Sequence, residues 1–66
     1  MRTVFSAYVI QRVTDGAYVS PRGQARSYVQ RLQDALVYPT RAEAERERCI
    51  GNERVVSVLD AFTRRV

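Results

Sequence analysis

Apolar residues fall into clusters separated by polar, glycine- or proline-bearing stretches. From residue 3 to residue 13 the chain carries Val4, Phe5, Tyr8, Val9, Ile10 and Val13 with no breaker, the β-branched and aromatic composition of a strand. Thr14-Asp15-Gly16 follows, and an Asp-Gly pair tolerates the positive φ of a tight hairpin turn. Ala17 to Ser20 then pairs back as a second strand, closed by Pro21 and Gly23. Residues 22–34 are polar and read as a loop, within which Tyr28 to Leu32 is either a short helical turn or an extended crossing. Ala35 to Tyr38 reads as a third strand, stopped by Pro39, which has no N–H for a ladder.

Thr40-Arg41-Ala42-Glu43 is a capping box: the Thr40 hydroxyl can accept the Glu43 N–H, and the Glu43 carboxylate can reach back to the Thr40 N–H. A helix is expected from Arg41 to about Cys49, ended by Gly51 as a left-handed cap. Ala42, Cys49 and Ile50 form its sheet-facing side. Glu53 to about Phe62 reads as a last strand, and the tail from Thr63 frays. The order is β-β-β-α-β: one α+β domain over residues 1–66, a small antiparallel sheet with one helix packed on one face.

A half-solvated strand alternates apolar and polar residues, and these strands do not. The first carries Val4, Tyr8 and Ile10 on one face and Phe5, Ala7 and Val9 on the other. The last carries Val56, Val58 and Phe62 against Val55, Leu59 and Ala61. One helix covers one face. The other is covered either by the 22–34 loop, bringing Tyr28, Val29 and Leu32, or by another chain. In the second case Phe5, Val55 and Leu59 mark a homodimer or partner face. At roughly 25 cal/mol per Å², a wet apolar patch of a few hundred Å² forgoes several kcal/mol. That is a large share of the stability of so small a domain.

Composition narrows the chemistry. The 66 residues contain 11 basic residues, all arginine, for a net charge of +4, with no histidine and one cysteine. A lone thiol forms no internal disulfide and holds no zinc by itself. Without histidine, Ser-His-Asp and Cys-His arrangements are impossible. Cys49 sits near a helix C-terminus, where the dipole disfavours a thiolate, and reads as a small buried apolar residue. Glu43, Glu45 and Glu47 lie among Arg41, Arg46 and Arg48 as a solvated helix face, with Glu45 and Arg48 spaced for an exposed ion pair. Nothing matches a phosphate-loop pattern, so no catalytic residue, metal or cofactor is expected, and the chain reads as a non-enzyme. No apolar run reaches the ~20 residues that span a bilayer, and the first residues lack a secretory-leader pattern. The expectation is a cytoplasmic protein without membrane contact.

The remaining feature is Arg22, Arg26 and Arg31, interleaved with Tyr28 in the long loop. Guanidinium groups pair with carboxylates and phosphates, and an aromatic among them can stack on a base. This loop is therefore the expected contact surface, for a protein partner or for nucleic acid.

The run Tyr8-Val9-Ile10, Asp15-Gly16-Ala17-Tyr18-Val19-Ser20, Asp34-Ala35-Leu36-Val37-Tyr38-Pro39-Thr40 and Ala42-Glu43-Ala44 resembles a group of very small phage and prophage accessory proteins. It covers about residues 8 to 45. Many such proteins bind and disable host machinery, with anti-CRISPR proteins the best-known class of this size. The resemblance implies an inhibitor of a host complex, such as a nucleic-acid defence effector, acting in the host cytoplasm without turnover. Many such inhibitors are acidic mimics of DNA, and a chain at +4 departs from that pattern. A small basic nucleic-acid-binding protein and an assembly module acting through an apolar sheet face are the alternatives.

Overall fold

The computed structural model describes residues 7–63. Strands β1 (Tyr8–Arg12) and β2 (Tyr18–Val19) form the hairpin that the Asp-Gly pair implies. Asp15 shapes the turn by accepting the Ala17 N–H at 3.2 Å, and Gly16 takes φ +78°, where a Cβ is disfavoured. Strand β3 (Tyr28–Val29) pairs with β2, and β4 (Glu53–Ser57) pairs with β1. The order across the sheet is β3-β2-β1-β4, all antiparallel. Helix α1 (Arg41–Glu47) precedes β4, and helix α2 (Val58–Thr63) follows it. The β-β-β-α-β order of an α+β domain is thus found as expected, with a second helix after it. No helix among the described residues is long and apolar enough to cross a membrane.

The pairing register sorts residues onto two faces, because directly opposed residues share a side. Val9 with Val56 and Tyr18 with Val29 define one face. Onto it fold Leu32 and Ala35, from a 3-10 turn (Leu32–Asp34) and the residue after it, and Ala61 of α2. Ile10 with Val55, Arg12 with Glu53, and Val19 with Tyr28 define the other face. Helix α1 lies on that side: Arg41 stands 5.1 Å from the Tyr8 ring centroid, and Ala44 is fully buried. The sheet is therefore covered by its own chain on both sides.

Several local expectations are corrected. Residues 58–62 are helical and do not extend the last strand. Ser57 decides this: its hydroxyl accepts the Asp60 N–H at 3.1 Å, satisfying a free donor of the first helical turn. The turn places Ala61 over Val9 and Val56, so α2 joins Leu32 of the 22–34 segment, one of the two covers expected, on this face. Val55 and Leu59, expected on one strand face, fall on different elements on opposite sides of the sheet. Phe5 lies outside the described residues.

The expected third strand, Ala35 to Tyr38, is reduced to a single bridge between Tyr8 and Tyr38. The Leu36 N–H bonds the Val19 carbonyl at 3.0 Å, and Tyr38 then exchanges two backbone bonds with Tyr8. This segment takes the lane beside β1 that β2 leaves when it turns to pair with β3. Strand β3 comes from the segment read as loop, as the extended one of its two alternatives.

Helix α1 stops at Glu47, short of Cys49, because Arg48 turns extended at φ −74°, ψ 153°. The next residues close a tight link to β4: the Cys49 carbonyl accepts the Glu53 N–H at 2.9 Å, and Gly51 adopts φ +90°. Cys49 and Ile50 consequently lie in this link, exposed, and Ala42 is exposed as well. Ala44 takes the sheet-facing position in their place. Thr40 caps α1 as expected, accepting the Glu43 N–H at 3.2 Å. In place of the reciprocal backbone bond, the Thr40 hydroxyl meets the Glu43 carboxylate at 3.4 Å.

Candidate functional site

Because α1 is short, it covers only part of its sheet face and leaves a cleft of about 300 Å³ beside it. Ile10, Val19 and Leu36 make the apolar floor. Tyr28 and Tyr38 add phenolic walls, and Arg22 and Glu47 stand opposite each other on loop and helix. The volume is at the small end of ligand clefts, room for a large apolar side chain.

One end of the cleft is built on Glu53, which is 8% exposed. Its carboxylate accepts the Tyr28 hydroxyl on one oxygen and the Cys49 N–H at 2.7 Å on the other. Arg48 donates to the Glu53 carbonyl at 2.9 Å and to Glu45 at 2.6 Å, the ion pair that the helix spacing predicts. Tyr28 is further held by Arg12, whose guanidinium lies 3.9 Å from the ring centroid. Arg12 in turn makes a two-point ion pair with Asp15, at 2.9 and 2.6 Å. Accepting from Tyr28 makes Glu53 hold the phenolic proton, so the Tyr28 pKa is raised, with burial adding to it. Burial raises the Tyr38 pKa too, with the Glu47 charge adding to it. The Arg12 hydrogen bond lowers the Asp15 pKa to about 2.

The arginine loop is braced at its base. The Ser20 N–H bonds the Ser27 carbonyl at 3.0 Å, and the Ser20 hydroxyl donates to the Arg26 carbonyl. Residues 22–26 stand exposed beyond this clasp. Arg22 reaches the cleft, 3.7 Å from Glu47, with its side chain 86% exposed. Arg26, whose carbonyl is part of the clasp, has an exposed side chain and forms no ion pair among the described residues. Arg31 lies beyond β3, pairs with Asp34 at 4.0 Å and does not line the cleft. Tyr28 is half-buried within the sheet, with Arg12 over its ring and Glu53 on its hydroxyl. The structure thus brings Arg22 and Tyr28 to one cleft and leaves Arg26 exposed at the base of the loop, outside the cleft lining.

No family model, no curated protein and no solved structure matches this chain. The site is therefore read from its own geometry.

Charge sharpens that reading. Eight arginines lie among residues 7–63 against seven carboxylates, which leaves +1 there. Arg2, Arg64 and Arg65 supply the rest of the +4. Half of the described arginines are spent locally: Arg12, Arg31, Arg41 and Arg48 pair with a carboxylate three or four residues away. Arg54 donates twice to Gln11, at 3.1 and 2.9 Å. Sequence reasoning missed Arg12, Glu53, Tyr38 and Leu36 as members of this region. Arg12 alone carried a signal, its i,i+3 spacing to the turn residue Asp15.

Proposed function

We propose that this chain is a non-enzymatic accessory protein that binds an acidic surface on a host protein complex and blocks it, as very small phage-encoded inhibitors do. The observation that carries the reading is the braced loop, which holds Arg22 at the mouth of an apolar cleft and carries Arg26, exposed and without an ion pair among the described residues. An apolar cleft rimmed by exposed guanidinium is the surface that an anchoring side chain and its acidic neighbours would fill. Binding energy there needs no turnover. The anti-CRISPR form of the proposal rests on the resemblance and has its own test. Expression of the chain in a bacterium with an active CRISPR effector should restore plating of a targeted phage. Unchanged plating across effector types would remove that form and leave the binding surface.

Nucleic-acid binding is the second reading, favoured by the exposed Arg22 and Arg26 on one loop. Arg12 stacks on the Tyr28 ring and so competes with any base, which weighs against a stacking platform. Phosphate contact would show as binding that falls steeply with salt, with a slope reduced by Arg22→Ala.

A further inference from the structure

We infer that the cleft beside α1 accepts an apolar side chain of a protein partner together with the carboxylate next to it, with Arg22 exchanging Glu47 for that carboxylate. The inference rests on the reading of the chain as a binding protein and adds the chemistry of the bound segment. The floor of Ile10, Val19 and Leu36 is apolar, and the Ser20 and Tyr28 hydroxyls that also line the cleft are already bonded to Arg26 and Glu53, so an apolar occupant fits it. At the inner end Glu53 is buried, and each of its carboxylate oxygens already accepts a donor from the chain itself.

The charge at the mouth is different. Arg22 and Glu47 are the one ion pair among the described residues that joins distant parts of the chain, and it is a loose one at 3.7 Å. Both side chains are largely solvated, 86% and 47% exposed. Such a pair contributes little and is exchanged at little cost. Arg22 presents a planar, two-point donor to an incoming carboxylate, and an exposed Glu47 returns to water. Arg22 is the more exposed member of the pair, so an acidic residue beside the apolar anchor reaches it more readily than a basic residue reaches Glu47, with the anchor on the floor and the carboxylate at the loop.

Methyl NMR of the full chain, titrated with capped dipeptides, tests this. Acetyl-Leu-Glu-amide is compared with acetyl-Leu-Lys-amide and acetyl-Ala-Glu-amide. The Val19 and Leu36 methyl signals should move with the Leu-Glu probe. The Leu-Lys probe should bind about threefold more weakly, the size expected of an exposed charge pair. The Ala-Glu probe should also be weaker. Arg22→Gln should bring the Leu-Glu probe down to the Leu-Lys level, and Glu47→Gln should tighten it. Methyl signals that stay still with all three probes, or equal binding of the Lys and Glu probes, overturn the inference. A second arm separates it from the broader reading. Leu36→Arg, which fills the cleft, should abolish capture of a partner that the unaltered chain retains. Retention of that partner by Leu36→Arg would sink the cleft and leave the binding function standing.

Discussion

The Tyr28 hydroxyl donates to the Glu53 carboxylate, joining the two outer strands of the sheet across the two strands between them. The residues are 25 positions apart, and the bond carries the loop containing Arg22 and Arg26 onto the frame that holds α1. Tyr28→Phe removes the donor and leaves a buried carboxylate with one partner fewer. A loss of about 1–3 kcal/mol in urea unfolding is expected. A change within a few tenths would mean the bond forms without stabilising the fold.

The same bond sets an alkaline limit. The Tyr28 pKa is raised, so its contribution is fully present below the ordinary phenol value near 10 and is lost as pH climbs through the higher folded value. In a tyrosinate absorbance titration, one phenol should ionise later than in the Glu53→Ala variant. Coincident curves for the two proteins would contradict the assignment.

Asp15 sets the acid side of the hairpin. Its pKa is lowered from 3.8 to about 2 by the Arg12 bond and by the Ala17 N–H. The hairpin contact is therefore intact above pH ~4 and is lost as pH falls towards 2. Carboxyl NMR should place the Asp15 midpoint near 2 and move it up, towards the ordinary value, in Arg12→Gln, with the Ala17 N–H still holding it below that value. A midpoint near 4 in the unaltered chain would remove the ion pair from the account.

Two substitutions in α2 separate a helix lying on the sheet from an extended strand. Ala61, 4% exposed, touches the core, and Leu59, 67% exposed, does not. Ala61→Asp buries an unpaired charge and should cost about 3 kcal/mol or more, while Leu59→Asp should stay within about 0.5 kcal/mol. Thermal melts decide it. Comparable losses from the two substitutions would restore the extended strand, in which Leu59 and Ala61 share a face, and a large loss with Leu59→Asp accompanied by a fall in apparent mass would mark a dimer face.

The legible parts of the fold were those fixed by local chemistry. Asp15-Gly16 announced the hairpin and Thr40-x-x-Glu43 announced α1, because each signal is complete within a few residues. Helix α2 was misread because Val55, Val56, Val58 and Leu59 favour a strand by residue type. Ser57-x-x-Asp60, the motif that overrides them, is short. Strand β3 was ambiguous because its two residues sit in a polar stretch and are extended only through pairing with β2. Cys49 reads as buried only where α1 runs on to it, and the Cys49–Glu53 link that shortens the helix depends on a buried carboxylate. The arginine loop could be picked out from composition. The cleft could not, since it exists only where α1 falls short of covering Ile10, Val19 and Leu36.

The central claim is that the Arg22–Arg26 loop and the cleft below it form a partner-binding surface. The direct measurement is affinity capture from nuclease-treated bacterial lysate with three baits: the unaltered chain, the Arg22→Glu, Arg26→Glu double variant and Leu59→Asp. The account predicts one stoichiometric protein partner held by the unaltered chain and by Leu59→Asp and lost with the double variant. A partner held equally by all three baits, or one that disappears on nuclease treatment, would contradict it.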